Sequence, residues 1–301
     1  MIRVVLVWIL TCVLWSTVWM FVKLGVREVP PVSFAAMRLI IAILVMVPLT
    51  LALKIPLPKG RKDWALICGT GVILLGFNYA LLNWGTQFIS SGLSAVLQSL
   101  TPVFALVFAH FLLPNDKLTV RKVSGLLLGA AGIAVIFWDQ LTFGGRALAG
   151  SITVSLGAVC VAFAYVMIQR SGKQFHPSAI TTGQMIAAFV PVMAYGWLME
   201  GNPFEINWTS TALVSATYLA LAGSVVAAWL NYWLLSRVGS VNLLIMGLVE
   251  PPLAVLIGSW ALGETMNWRA IAGSAIILFS VWLTVGGKKP PPQVTEPWSS
   301  Q

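Results

Sequence analysis

Ten stretches of predominantly apolar residues run through the chain, near 4–24, 32–53, 64–84, 92–113, 120–138, 149–169, 178–198, 212–236, 241–262 and 269–286. About 20 such residues are what an α-helix needs to cross the hydrocarbon core of a bilayer. Lipid offers the backbone no hydrogen bonds, so stretches of this kind fold as helices that satisfy their own N–H and C=O groups. The connections are short and leave no room for a soluble catalytic domain. Composition agrees: 58% of the residues are hydrophobic and 9% charged, and the mean hydropathy is +0.90, beyond the soluble range. The first stretch lacks an A-x-A cleavage pattern and carries Lys23 at its far end, so it reads as a span and not a signal peptide. The fold expected is an all-α integral membrane protein of ten transmembrane helices.

The net charge of +9 is distributed by side. Threading ten helices from a cytoplasmic N-terminus gathers thirteen basic residues on the inner side, among them Arg3, Lys59, Arg61, Lys62, Arg121, Lys122, Arg170, Arg237, Lys288 and Lys289. Four fall outside, Lys23, Arg27, Arg146 and Arg269, and Arg38 is left within a helix. This is the positive-inside asymmetry. It argues for lipid rather than nucleic acid as the partner, and puts both termini in the cytoplasm of a bacterial inner membrane. Cys12, Cys68 and Cys160 lie on three different spans without CxxC spacing and read as packing residues. His110 and His176 have no companion at metal-ligand spacing, so neither a metal nor a cofactor is expected.

The chain repeats itself. SSGLSAVLQSLTP (Ser90 to Pro102) and GSVNLLIMGLVEP (Gly239 to Pro251) match at an offset of 149 residues, each ending on a proline in mid-span. DKLTVRKVSG (Asp116 to Gly125) and ETMNWRAIAG (Glu264 to Gly273) share an acid, a basic residue five on and a glycine nine on. One repeat holds five helices, an odd number, so the copies enter the membrane from opposite sides. Such inverted repeats enclose a substrate site at their interface in many secondary transporters. The division expected is 1–143 and 144–286, with a proline-rich cytoplasmic tail, 287–301, expected to be disordered.

These residues, with WSTVWMFVK (Trp15–Lys23), FAAMR (ending at Arg38) and YWLLSRVGS (Tyr232–Ser240), resemble the repeated unit of the drug/metabolite transporter superfamily, EamA-type, across about 4–286. The wealth of membrane tryptophan makes the chain most similar to the YddG-like aromatic amino-acid exporters. In the first repeat Pro114-Asn115-Asp116 stands where that family usually has Gly-Glu. The resemblance implies that helices 1–4 and 6–9 surround a central cavity while 5 and 10 stand outside. Gly125-x3-Gly129 on helix 5 suits close packing of that support helix.

Candidate substrate contacts follow from polar groups at kinks. Pro102, and Pro251 with Pro252, break their helices in mid-span and free carbonyls one turn upstream, which makes them hinge candidates. Ser94, Gln98 and Thr101 share one face, and Asn242, Met246 and Glu250 share the corresponding face of the second copy. The faces either line a cavity or hold kinks closed through Ser/Thr hydroxyls. Glu250 has three readings: a site for a substrate amine or other cation, a proton carrier, or a paired structural acid. Arg38 has three as well: holding a carboxylate, snorkelling outward, or pairing with Glu250. Trp15, Ser16 and Trp19 on helix 1, Asn78 on helix 3, Tyr165 on helix 6, Gln184 on helix 7, and Trp229 with Asn231 on helix 8 complete the set. Aromatic walls with a few fixed polar groups suit small amphipathic ligands, although tryptophan is also the usual interfacial anchor.

The reading that best fits is a secondary transporter that exports amino acids, aromatic and other apolar ones included, and related small metabolites by alternating access. A multidrug or cationic-compound efflux carrier is the alternative, with Glu250 as counter-charge. An intramembrane enzyme is disfavoured, because one acid and one arginine supply neither a paired-acid site nor a Ser/His or Ser/Lys dyad. A channel is disfavoured because two inverted halves do not readily make rings of carbonyls or charges.

Overall fold

In the computed structural model of the chain, the described residues are 2–113, 120–143, 145–171, 175–227, 230, 234 and 249–285. They form ten helices: α1 (Ile2–Glu28), α2 (Pro31–Ala52), α3 (Arg61–Thr86), α4 (Ser91–Leu112), α5 (Val120–Phe143), α6 (Gly145–Arg170), α7 (Pro177–Glu200), α8 (Ser210–Val226), α9 (Val249–Leu262) and α10 (Trp268–Val285). Six of them, α1 to α4, α6 and α7, are long and apolar enough to span a bilayer. The apolar parts of α5, α8, α9 and α10 are shorter. Among the described residues there is no strand.

Local chemistry sets the helix ends. Pro31 and Pro177 start α2 and α7, where the missing N–H costs nothing. Ser90 and Thr209 cap α4 and α8, accepting from Leu93 N and Ala212 N, each at 3.2 Å. His176 caps α7 through Nδ1, which accepts from Ser178 N at 3.2 Å, and burial pulls its pKa below the ordinary 6.5. Gly201 (φ 95°) and Gly263 (φ 63°) turn the chain away after α7 and α9 in the left-handed region that glycine tolerates best.

The helices pack in pairs that exchange under the repeat. α5 packs on α10 and α2 on α7; α3 lies against α6 as α1 does against α8, and α3 touches α7 as α8 touches α2. Equivalent helices run in opposite directions. The first turn of α2 meets the last residue of α7, where Val32 N and Ser33 N donate to Glu200 at 2.9 and 2.7 Å. Towards the other ends of the same two helices, Thr50 and Thr182 hydroxyls pair at 3.0 Å. The two copies are therefore antiparallel. Oil does not squeeze helices together in a bilayer, so close approach falls to small residues. A Cβ on Gly85 of α3 would stand 2.5 Å from Gly150 O of α6, and one on Gly150 would stand 2.7 Å from Gly85 O. On α5, Gly125 O accepts from Ser280 Oγ of α10 at 2.6 Å, and a Cβ on Gly132 would stand 2.7 Å from Ile277 Cγ1.

The third helix of each copy carries the same irregularity. Val72–Phe77 of α3 and Leu219–Val226 of α8 are wound as π-helix. The 149-residue offset relating the two prolines carries 72–77 onto 221–226, inside the second segment.

Replacing Gly150 by leucine is expected to destabilise the protein by about 1–3 kcal/mol or more, the usual cost of overpacking. Leucine at Gly145, where nothing lies within 4 Å of an added Cβ, serves as the control. Thermal unfolding in detergent separates the two variants.

Candidate functional site

The mid-span proline of the first copy breaks α4 as expected. Its two halves, Ser91–Gln98 and Thr101–Leu112, are separated by Ser99 and Leu100, and Pro102 lies in the first turn of the second half. The freed carbonyl of Gln98 accepts from Thr101 Oγ1 at 2.7 Å, so this carbonyl is closed by a local hydroxyl. The Gln98 side chain reaches outward instead. Its Nε2 donates to Asn78 Oδ1 of α3 at 2.8 Å, while its buried Oε1 has no partner among the described residues. Gly157 of α6 makes room for the pair, since a Cβ there would stand 2.6 Å from Asn78 Oδ1.

A second cluster lies where α9 of the second copy meets α1 of the first, beside the proline that corresponds to Pro102. Trp19 Nε1 donates to Glu250 Oε1 at 2.8 Å, and Ser16 Oγ donates to Glu250 O at 3.2 Å and to Cys12 O at 2.7 Å. Ser16 is fully buried, Trp19 is buried, and Glu250 is partly buried. Pro251 and Pro252 stand in the first described turn of α9. One apolar cluster containing Trp19, Leu82, Ala95 and Ala254 links these helices.

Other candidates sit apart from the two clusters. Ser94 pairs with Thr86 Oγ1 at 3.1 Å, and Gln184 Nε2 donates to Thr70 Oγ1 at 3.0 Å across α7 and α3. Trp15 packs beside Cys12, Val249 and Leu253, and Tyr165 is largely exposed on α6. Trp229, Asn231, Asn242 and Met246 lie outside the described residues. A cleft of about 680 Å³ opens elsewhere, lined by Gly76, Phe77 and Trp84 of α3, Thr153 of α6, and Tyr195 and Met199 of α7. It contains none of the residues of either cluster, and its walls are chiefly apolar.

Two buried cations behave differently from expectation. Lys23, counted above with the outer charges, is 7% exposed inside α1. Its Nζ donates to Thr86 O, Gln87 O and Ile89 O at 2.5, 3.0 and 2.7 Å, closing the carbonyls at the C-terminal end of α3. An ammonium on helix C-terminal carbonyls also meets the negative end of the dipole, and this explains a lysine within a span. Arg38 neither snorkels nor pairs with Glu250. It is buried, its Nη2 donates to Ser224 Oγ at 3.2 Å, and its Cζ lies 4.3 Å from the centroid of the Tyr79 ring.

Close to the Lys23 contacts, Glu264 accepts from Ser91 N at 2.9 Å and Ser91 Oγ at 2.6 Å. With Glu200 on α2, an acid following or ending a second-copy helix thus caps the N-terminus of a first-copy helix twice over. The α4–α9 approach beside it is tight: a Cβ on Gly92 would stand 2.8 Å from Val255 Cα. Sequence reasoning missed these caps, because helix ends that meet are remote in sequence.

The profile of the EamA-like transporter family matches residues 2–138 and again residues 148–286. The chain belongs to the EamA-like transporter family. Among relatives of this EamA-like transporter, the uncharacterized transporter YoaV of Bacillus subtilis is 27% identical over 94% of this chain and 97% of its own. The uncharacterized inner membrane transporter YedA of Escherichia coli K12 is also 27% identical, over 92% and 88%. A solved crystal structure superposes with a TM-score of 0.64 at 18% identity over 94% of this chain and 96% of that one, a likeness of fold alone. The protein is thus a multi-pass membrane transporter and not an enzyme, with a small-molecule substrate and a lipid bilayer around it.

Lys23→Met is expected to cost about 2–4 kcal/mol, since charge-assisted hydrogen bonds to carbonyls that stay buried would be lost. Glu264→Gln, which keeps an acceptor for Ser91, should cost less. Thermal melts of the two variants give the order.

Proposed function

We propose that this EamA-like transporter exports amino acids, aromatic and other apolar ones included, together with related small metabolites, by alternating access. The observation that carries this reading is the pair of polar clusters beside the two repeat-related prolines, Pro102 and Pro251. Asn78–Gln98 stands beside the Pro102 kink of the first copy, and Trp19–Glu250 joins α1 of the first copy to the Pro251 turn of the second, antiparallel copy. Copies related in this way rock against each other around a fixed midplane site. Asn78, Gln98, Thr101, Ser16, Trp19 and Glu250 are proposed to face the solute, and Pro102, Pro251 and Pro252 to act as hinges. Ser94, Trp15, Tyr165 and Gln184 join that lining in the alternate state, as do Trp229, Asn231, Asn242 and Met246. Indole and amide groups suit the apolar side chain and the polar head of an amino acid. This is the substrate class of the YddG-like exporters that the sequence resembles.

The functional units in this proposal are 1–143 and 144–286, followed by a cytoplasmic tail, 287–301. Basic residues on the inner connections orient both termini to the cytoplasm of a bacterial inner membrane. The end holding Lys23, Glu200 and Glu264 then faces outward, and those caps hold it closed until the copies rock.

Efflux of cationic compounds is the second reading, favoured by Glu250, an acid in an apolar stretch that accepts from the Trp19 indole N–H. Both readings are tested in proteoliposomes with a labelled panel of amino acids and lipophilic cations, with and without a pH gradient. Saturable flux of several neutral amino acids is expected. Glu250→Gln should lower cation flux about tenfold or more, equivalent to ~1.4 kcal/mol, and change neutral amino-acid flux far less. Flux confined to cations would overturn amino-acid export.

A further inference from the structure

The guanidinium of Arg38 stands between the two π-helical segments. Its hydrogen-bond partner, Ser224, lies within Leu219–Val226 of α8, and the ring beneath it, Tyr79, follows Val72–Phe77 of α3. π-Turns inside α-helices are frequent at functional sites, and here both copies direct one at the same side chain. Arg38 is 8% exposed. Among the described residues its hydrogen-bond partner is a neutral hydroxyl, and Nε has none. Desolvating a charge is strongly unfavourable without a counter-ion, and a tyrosine face offsets only part of that.

Glu250 does not supply the missing charge. Adjacent residues of α1 stand with each group: Trp19 is bonded to Glu250, while Val18 Cγ2 lies 2.9 Å from where a Cβ on Gly223 would be, itself 3.6 Å from Arg38 Nη2. Arginine grips a carboxylate side-on, with Nε–H and the Nη–H on the same edge as two parallel donors. On Arg38 Ser224 takes one of the two Nη2 hydrogens, and Nε, the other donor of that edge, has no partner among the described residues.

We infer that Arg38 is an anion-binding subsite of the transport pathway that takes the carboxylate of the solute, with Ser224 and Tyr79 positioning its guanidinium. The inference rests on the transporter reading above and narrows it to carboxylate-bearing solutes, amino acids or other amphipathic organic acids. One guanidinium balances one negative charge and its planar fork matches two coplanar oxygens, so a monocarboxylate fits better than a phosphate.

The test uses the purified full-length protein in detergent, with thermal unfolding read against 3-phenylpropionate, its amide and phenethylamine. The acid is expected to raise the wild-type melting temperature, and the amide and amine to leave it unchanged. Arg38→Gln and Arg38→Lys should each weaken the acid's apparent affinity about tenfold or more, lysine because it lacks the fork. Without ligand, Arg38→Gln should melt at or above the wild type, since it removes a buried charge that has no counter-ion among the described residues. Equal shifts with acid and amide, no shift with the acid, or a full acid shift in Arg38→Gln would each overturn the assignment. So would an unliganded Arg38→Gln that melts far lower and is fully restored by Arg38→Lys, the signature of a purely structural cation. Amino-acid flux in proteoliposomes separates this inference from the export reading. Acid-specific stabilisation without amino-acid flux would sink export and keep the subsite, whereas flux unchanged by Arg38→Gln would sink the subsite and keep export.

Discussion

Hydrocarbon cannot hydrogen-bond a loose carbonyl, so every break in these helices needs a partner supplied by the protein. The partners are visible at three irregular points. Thr101 Oγ1 closes the Gln98 carbonyl at the kink of α4, Ser224 Oγ closes Leu219 O within the π-segment of α8, and Lys23 closes three carbonyls after α3. Once the backbone is satisfied locally, the polar side chains near the breaks are released for other contacts. Gln98 turns to Asn78, and Ser224 also receives Arg38. A transporter needs polar groups in mid-membrane that are not consumed by its own backbone, and this division of labour provides them.

The antiparallel relation of the copies gives the fold its internal exchange of contacts, and among the described residues two charged caps share one end. Glu200 and Glu264 both come from the second copy and both close helix N-termini of the first, at the same end as Lys23. Towards the opposite ends of α2 and α7, the contact is between two neutral hydroxyls, Thr50 and Thr182. One end is therefore stitched by charge-assisted bonds and the other, at this helix pair, by a weaker neutral one. The apolar cleft between α3, α6 and α7 belongs to neither polar cluster.

Much of this was legible from residue order, and particular residues show where legibility stopped. Pro102 announced the break of α4, and Gly125 and Gly129 announced the packing of α5, because proline and glycine act on their own backbone. Ser16, Trp19 and Glu250 were each named as candidates, yet nothing in their spacing joined positions more than two hundred residues apart. Lys23 read as an outer charge because its sequence neighbours place it near a helix end. Only the approach of the α3 terminus makes it an interior cap. The π-segments leave no local signature beyond Gly76 and Gly223.

Residue order alone determined the material and the plan: apolar stretches long enough for lipid, a doubled unit with mid-stretch prolines, and an odd number of apolar stretches in each copy. These follow from solvent and chain chemistry, which act over one or two helical turns and repeat wherever the residues repeat. Tertiary structure alone decided which polar groups meet, that Arg38 faces Ser224 and Tyr79 and not Glu250, and that second-copy acids cap first-copy helices. Pairing of that kind depends on how close two helices can come. A missing Cβ at Gly85, Gly92, Gly150 or Gly223 sets that distance, from parts of the chain that share no local sequence.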